Sequence, residues 1–296
     1  MQVHTIDLEF RRRAGLIASF LLESAGRLAL IEPGPGSTLE TQLKRIAELG
    51  YDREEIRDVF VTHAHLDHAG SGGWWAQRGA TLHVHPKAAR HLIDPSRLIE
   101  SARTVYGDAF DSLWGEMLPA PGDKVNILED GAEVEIGDIA IEAINTPGHC
   151  FHHHAYAIGD RLFAGDIAGV RLRDSKYLSV TSAPPQFHLE SYLTSIQRIK
   201  ERQFSQLHLT HFGVVREVAE HLAKYAAEVI GAAEMVKDLV DDGNDDESIR
   251  GAYQACQLEQ ASRAELPPGL WDDYQASNST DMCADGLRMY WEREAG

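Results

Sequence analysis

Cysteine is scarce in this 296-residue chain, which has three: Cys150, Cys256 and Cys283. They are odd in number and far apart, which argues against a disulfide framework. Long apolar runs are missing too. No stretch approaches the roughly 18 consecutive apolar residues of a membrane helix. The opening segment, Met1 to Arg13, is charged and lacks the apolar core of a signal peptide. Cations are few: 28 Lys and Arg stand against 46 Asp and Glu, a formal net charge of −18. A surface of that sign is poorly suited to neutralising phosphates, so neither nucleic acid nor an anionic membrane is an expected partner. These absences leave a cytoplasmic protein acting on a small molecule as the expectation. A hydrophobic content of 43% is ample for one large core, alone or with an appendage.

Histidine is where the chain is rich. Residues 62 to 68 read Thr62-His63-Ala64-His65-Leu66-Asp67-His68. Asp58-Val59-Phe60-Val61, just before, reads as a short buried strand, and Ala69-Gly70-Ser71-Gly72, just after, as a loop. The polar side chains are therefore expected where a strand runs out and a rigid sheet can hold them. Imidazole nitrogen and carboxylate oxygen suit zinc and similar borderline metals. His63 and His65 are two apart and point to one side of extended backbone. Asp67 and His68 diverge, as a second ion beside the first would require. Two ions ~3.5–4 Å apart can polarise a carbonyl and hold attacking and leaving oxygens. A lone histidine is usually structural, but the order H-x-H-x-D-H after an apolar strand reads as a metal site.

T-H-x-H-x-D-H resembles the signature of the metallo-β-lactamase fold hydrolases. That family's pattern continues with a His, an Asp and a His. Here they follow as Thr146-Pro147-Gly148-His149, Phe163-Ala164-Gly165-Asp166 and Leu209-Thr210-His211-Phe212-Gly213, each after an apolar segment. The resemblance spans roughly residues 16 to 213. It implies an α/β fold, the four-layer αββα sandwich, over residues 1–215. Residues 216–296 are then a helical C-terminal extension that packs on the sandwich or forms a subunit contact. It implies two divalent ions, zinc first, with manganese or iron as alternatives. His63, His65 and His149 would hold one ion, Asp67, His68 and His211 the other, and Asp166 would bridge them. The branch resembled is that of glyoxalase II and the acyl-homoserine lactonases. In such enzymes a hydroxide between the ions attacks the carbonyl of an ester, thioester or lactone, and Asp67, as the catalytic acid, or a metal-bound water would protonate the leaving group.

Three departures stand out. Relatives usually carry Asp where this chain has Glu32, a residue that orders the site from behind the ligands. The tyrosine that lactonases place shortly after the bridging Asp is missing from Ile167-Ala168-Gly169-Val170-Arg171, and so is the Gly-Cys-Gly-Arg-like stretch of glyoxalase II. A rival reading on the same fold is a mononuclear iron persulfide dioxygenase-like oxidoreductase, which uses two His and the bridging carboxylate. Retention of Asp67, His68 and His211 favours two ions. A metal-stabilised scaffold that binds a ligand without turnover is the third reading.

The rest of the chain reads mainly as framework. Residues 16–23 and 27–32 form a hairpin around Ser24-Ala25-Gly26. Ser37-Thr38-Leu39-Glu40 reads as a capping box opening a helix. Trp74-Trp75 falls on a helix, more core than pocket. His83 and His85 imitate H-x-H on one strand face, but Pro86 opens a helix at once and no acidic partner follows. Residues 97–118 are helical, as a lid over the site or as plain core. Residues 124–145 divide into three strands. Cys150, beside His149, could serve as a ligand but reads rather as a small packed or partly exposed thiol. His152, His153 and His154 exceed what the pattern needs; each either backs or faces the site, or meets only solvent or backbone. Residues 188–204 form an amphipathic helix, and 206–211 a strand on which His208 faces away from His211. The tail shows a heptad seam at Val218, Leu222, Tyr225, Val229, Ala232, Val236 and Leu239, which packs on the sandwich or pairs two subunits as a homodimer. Residues 241–247 are acidic, but their spacing fits a turn rather than a calcium loop.

Overall fold

The first sheet is built from β1 (Gln2–Asp7), β2 (Ala18–Ser24), β3 (Arg27–Ile31), β4 (Ile56–Phe60), β5 (Thr81–Val84) and β6 (Val125–Ile127), in that spatial order. The computed structural model describes residues 1–295, and these fall into two compact units. The first comprises Met1–Asn145 and His152–Gly165; the second comprises Thr146–Phe151 and the chain from Asp166 onward.

In the first unit, β1 to β3 run antiparallel and β3 to β6 parallel. Ala25 and Gly26, at φ 48° and 75°, make the left-handed turn that a two-residue hairpin needs. Parallel neighbours require crossovers, and helices supply them. These are α1 (Leu39–Glu48), α2 (Leu66–Ala69), α3 (Gly72–Gln77), α4 (Pro86–Ile93), α5 (Ser96–Tyr106) and α6 (Phe110–Trp114). A second set of strands, β7 (Glu133–Ile136), β8 (Ile139–Asn145), β9 (His154–Ile158) and β10 (Arg161–Gly165), forms an antiparallel meander. Of the three strands expected over 124–145, the first therefore joins one sheet and the other two the second.

The two sheets of this unit pack face to face. Phe20 meets Phe163 edge-on at 5.2 Å, and Phe60 meets Tyr156 in the same way at 5.2 Å. The buried Tyr156 hydroxyl donates toward the carbonyls of Val61 (2.9 Å) and His83 (3.1 Å), which satisfies the one polar atom of that ring. On α1, buried Gln42 donates to Ser19 Oγ and to the Pro33 carbonyl and accepts from Trp75 Nε1. Trp75 is thus core, while Trp74 lies half-buried with the Arg78 guanidinium 3.9 Å above its ring.

Two local expectations are corrected. The capping box does not form: α1 starts after Thr38 with no side-chain cap, and the Ser37 hydroxyl donates instead to the Leu113 carbonyl at 2.6 Å. The reason is close backbone approach. A Cβ on Gly36 would lie 2.2 Å from the Glu116 carbonyl oxygen, so the 115–116 segment lies against residues 36–37 and the Leu113 carbonyl just before it comes within reach of the hydroxyl. The stretch after the histidines is also not a plain loop, because α2 opens at Leu66 and α3 at Gly72.

The second unit contains α7 (Leu189–Glu201), the hairpin of β11 (Gln206–Leu209) and β12 (Gly213–Val215), and α8 (Val218–Asp241), α9 (Asp246–Arg263), α10 (Leu270–Ser277) and α11 (Thr280–Ala295). Position 215 lies inside it, since α8 packs on α7 as well as on α9 and α11. The heptad seam from Val218 to Val236 is buried there. A homodimer would have to use another face. The acidic stretch is a turn, with Asp245 capping α9 through the Ser248 N–H at 2.8 Å.

Buried His221 on α8 pairs its Nε2 with the Ala168 carbonyl at 2.9 Å. Burial pulls its pKa down from 6.5 to about 4. The unfolded chain therefore takes up this proton first. The stability from keeping the ring neutral is intact above pH 6.5 and is lost as pH falls toward 4. Its size is on the order of 2–3 kcal/mol. Urea unfolding at pH 7 and pH 4 should show a smaller acid loss in His221→Gln, which keeps a donor for Ala168 but cannot charge. An equal loss in both proteins would remove His221 as the cause.

Candidate metal-ligating residues

In the first unit the ligand run leaves β4 along a pinned backbone. The Thr62 N–H donates to Glu32 Oε1 at 3.2 Å, and the His154 N–H donates to the Thr62 carbonyl at 2.8 Å. His63 Nδ1 pairs with Thr62 Oγ1 at 3.0 Å, which turns its Nε2 toward His65 Nδ1 at 2.9 Å. His65 precedes α2, so Asp67 and His68 stand in a helical turn. The His68 ring centroid lies 4.0 Å from that of His63. Its Nδ1 meets Glu32 Oε2 at 2.5 Å, and its Nε2 lies 3.4 Å from Asp67 Oδ2.

Glu32 therefore ties two parts of this run together. One oxygen holds the ligand-bearing backbone and the other holds a ligand ring. It does so at φ 63°, a left-handed conformation unusual for a glutamate, in a fully buried position. His152, His153 and His154 are buried, so the solvent reading of them is set aside. His152 Nδ1 accepts from the Ala64 N–H at 3.4 Å, the His153 ring lies 5.0 Å from that of His63, and the His154 ring lies 4.5 Å from that of His85. His83 pairs with Asp58 and Asn126, and His85 caps α4 and reaches Asn145, which bears out their structural reading.

In the second unit three further residues converge on one carboxylate. Gly148 delivers His149 by a turn at φ 144°, where a Cβ would lie 2.3 Å from Tyr192 Cα, so no other residue fits without movement. His149 Nδ1 pairs with the Thr181 carbonyl at 3.0 Å, and its Nε2 lies 3.3 Å from Asp166 Oδ2. His211 Nδ1 pairs with Ser277 Oγ at 3.0 Å, and its Nε2 lies 3.5 Å from Asp166 Oδ1. The two oxygens of Asp166 thus face two different imidazoles. Its main chain is fixed as well: the carbonyl accepts from Thr181 Oγ1 at 2.8 Å and from the Tyr192 hydroxyl at 2.7 Å, and the latter touches the Tyr225 hydroxyl at 2.8 Å.

This donor chemistry fits a borderline divalent ion. His63, His68, His149 and His211 each have Nδ1 engaged by an oxygen, which leaves Nε2 as the donor atom, the usual arrangement of a metal-binding imidazole. All seven expected ligands belong to donor groups able to hold a metal ion, and the buried Cys150 thiol is counted in one of them. Sequence reading missed Thr181, Tyr192 and Ser277, which are isolated polar residues without a motif. Glu32 was visible only as a departure from a pattern.

The family model of the metallo-beta-lactamase superfamily matches residues 12–211, and the chain belongs to that superfamily. Its fold is the α/β sandwich of the family with a helical C-terminal region. A metallo-beta-lactamase fold-containing protein of Sulfurisphaera tokodaii is 29% identical over 57% of this chain and 66% of its own length. A hydroxyacylglutathione hydrolase of Hahella chejuensis is 27% identical over 46% of this chain and 41% of its own length. The chain thus spans about two thirds of the first relative and less than half of the second. Among solved structures, a metallo-beta-lactamase family protein of Thermus thermophilus has a TM-score of 0.69 at 18% identity, covering 99% of this chain and 94% of that one. No helix among the described residues is long and apolar enough to cross a membrane.

Proposed function

We propose that the protein is a binuclear metal-dependent hydrolase of ester, thioester or lactone bonds in a small molecule, working in the cytoplasm. The observation that carries this reading is Asp166, whose two carboxylate oxygens face His149 and His211 separately at 3.3 and 3.5 Å. A carboxylate so arranged suits two cations better than one. By the family pattern, His63, His65 and His149 hold one ion, Asp67, His68 and His211 hold the other, and Asp166 serves both. Zinc is the first choice for these donors, with manganese or iron as alternatives. Divalent ions bound there supply Lewis acidity toward a carbonyl oxygen and bring the pKa of a bound water toward neutrality.

The chain's own residues do the rest. Glu32, Thr62 and Thr181 hold the rings of His68, His63 and His149 so that the Nε2 lone pairs are presented without reorganisation. Asp67, at 19% side-chain exposure against 7% for Asp166, is the more accessible carboxylate, and after taking up the proton released by the attacking water it can pass that proton to the leaving group. A thioester is the first substrate class to test, because relatives named hydroxyacylglutathione hydrolase match the chain. The net charge of −18 favours a small molecule over nucleic acid.

The test is elemental analysis of protein purified without added metal, alongside Asp67→Ala and a panel of thioesters, esters and lactones. About two ions per chain, falling in the variant together with turnover, is the expected result. A single iron that survives loss of Asp67, with oxygen consumed on a persulfide, would replace this reading by the dioxygenase.

A further inference from the structure

Ser277 is the last residue of α10, 66 positions beyond His211 and outside the segment the family model matches. Its hydroxyl lies 3.0 Å from Nδ1 of His211, a ring that is only 2% exposed. Neighbours on both sides hold it in place. Three residues before, the buried Tyr274 hydroxyl meets the Leu172 N–H at 2.9 Å, Ser175 Oγ at 2.6 Å and the Tyr177 carbonyl at 2.9 Å. One residue after, Asn278 Nδ2 donates to Ser179 Oγ at 2.8 Å and to the Val180 carbonyl at 2.9 Å. A side chain between two such anchors has little freedom to leave its partner.

The same relation recurs at three other ligands: Thr62 with His63, Glu32 with His68, and the Thr181 carbonyl with His149. Of these four partners only Ser277 comes from beyond residue 211. We infer that Ser277 is a positioning residue of the metal centre, and that the helical tail thereby takes part in ion binding. By accepting from Nδ1–H, the hydroxyl selects the tautomer in which Nε2 of His211 keeps its lone pair, and it sets the plane of the ring. The role is specific to the ion that His211 holds. A second contribution of the tail runs through Tyr225, whose hydroxyl touches Thr181 Oγ1 and the Tyr192 hydroxyl, the two groups that hold the Asp166 carbonyl.

This inference rests on the metalloenzyme reading, so its test is built to fail separately. Wild type, Ser277→Ala, Ser277→Thr and, as a tail control, Ser262→Ala are stripped of metal. They are then titrated with zinc against a chromophoric chelator and with cobalt(II) by absorption. Imidazole nitrogen NMR of the metal-free proteins reports the His211 tautomer. The alanine variant should lose ~10–100-fold in affinity for one ion and keep the other, the size seen when an outer partner of a ligand is removed. Threonine should restore it, and the control should match wild type. In the metal-free state the His211 Nδ1 signal should move in the alanine variant and return toward its wild-type position with threonine. Unchanged affinity for both ions in Ser277→Ala would overturn the inference, as would a loss that threonine does not restore. Should wild type bind no ion at all, the hydrolase reading falls, and an unchanged His211 Nδ1 signal in Ser277→Ala would then overturn the pairing too.

Discussion

Asp166→Asn is expected to reduce bound metal from about two ions per chain to one or none, and to lower hydrolysis by about a thousandfold or more. The side chain keeps its shape but loses its charge and turns one oxygen into an NH2 donor. In the wild-type protein Oδ2 faces Nε2 of His149 and Oδ1 faces Nε2 of His211. An amide can serve at most one of those directions as an acceptor, whichever way it flips. The surroundings should not relax to compensate, because the Asp166 main chain is held by Thr181 and Tyr192. Elemental analysis and thioester turnover on the same preparation check this. Full metal content with undiminished turnover would remove Asp166 from both ions.

Gly286→Ala should cost stability near or beyond the upper end of the ~1–3 kcal/mol typical of overpacking. Gly286 lies in α11, and a Cβ there would stand 1.7 Å from the Ser182 carbonyl oxygen, a backbone atom that cannot rotate away. Separating the helix from the 180–182 segment would also break the Ser182 hydroxyl bond to the Cys283 carbonyl (3.0 Å) and the Cys283 thiol bond to the Val180 carbonyl (3.1 Å). On a domain of this size each kcal/mol moves Tm by roughly 2–4 °C, so a fall of about 6–12 °C is expected in a thermal scan. A shift under about 2 °C would mean that α11 sits less tightly than this contact requires. Thr181, one residue from the contact, holds His149, so metal affinity should fall with the midpoint.

Much of the fold, and nearly all of the candidate donor residues, could be read from residue order alone. Apolar runs ending in H-x-H-x-D-H, G-H, G-D and T-H mark strand ends, and period-two alternation places those strands. The hairpin at Ser24-Ala25-Gly26 follows from turn chemistry that acts within a few residues. The expectations that failed depend on distant approach. Ser37 lost its cap to Leu113, 76 positions away, because Gly36 and Gly115 let two backbones touch. The residues holding the ligand rings were invisible for the same reason. Thr181 and Ser277 are ordinary polar residues until folding brings them to an imidazole 32 or 66 positions off. Glu32 showed the opposite weakness: its place in the pattern was plain, but whether a longer acid could still reach His68 depended on a left-handed backbone angle that no local pattern announces.

The pairing of His211 with a serine near the end of the chain has a consequence for biosynthesis. A ribosome adds residues at about 5–20 per second, so the partner of His211 emerges seconds after the histidine, and later still after His149 and Asp166. Until then the His211 ring lacks its partner, whereas Glu32, Thr62 and Thr181, which hold the other three rings, have all been made before it. The support of His211 is therefore completed only after residue 277 has been made. A chain cut before residue 277 would keep every candidate ligand and leave His211 without this partner.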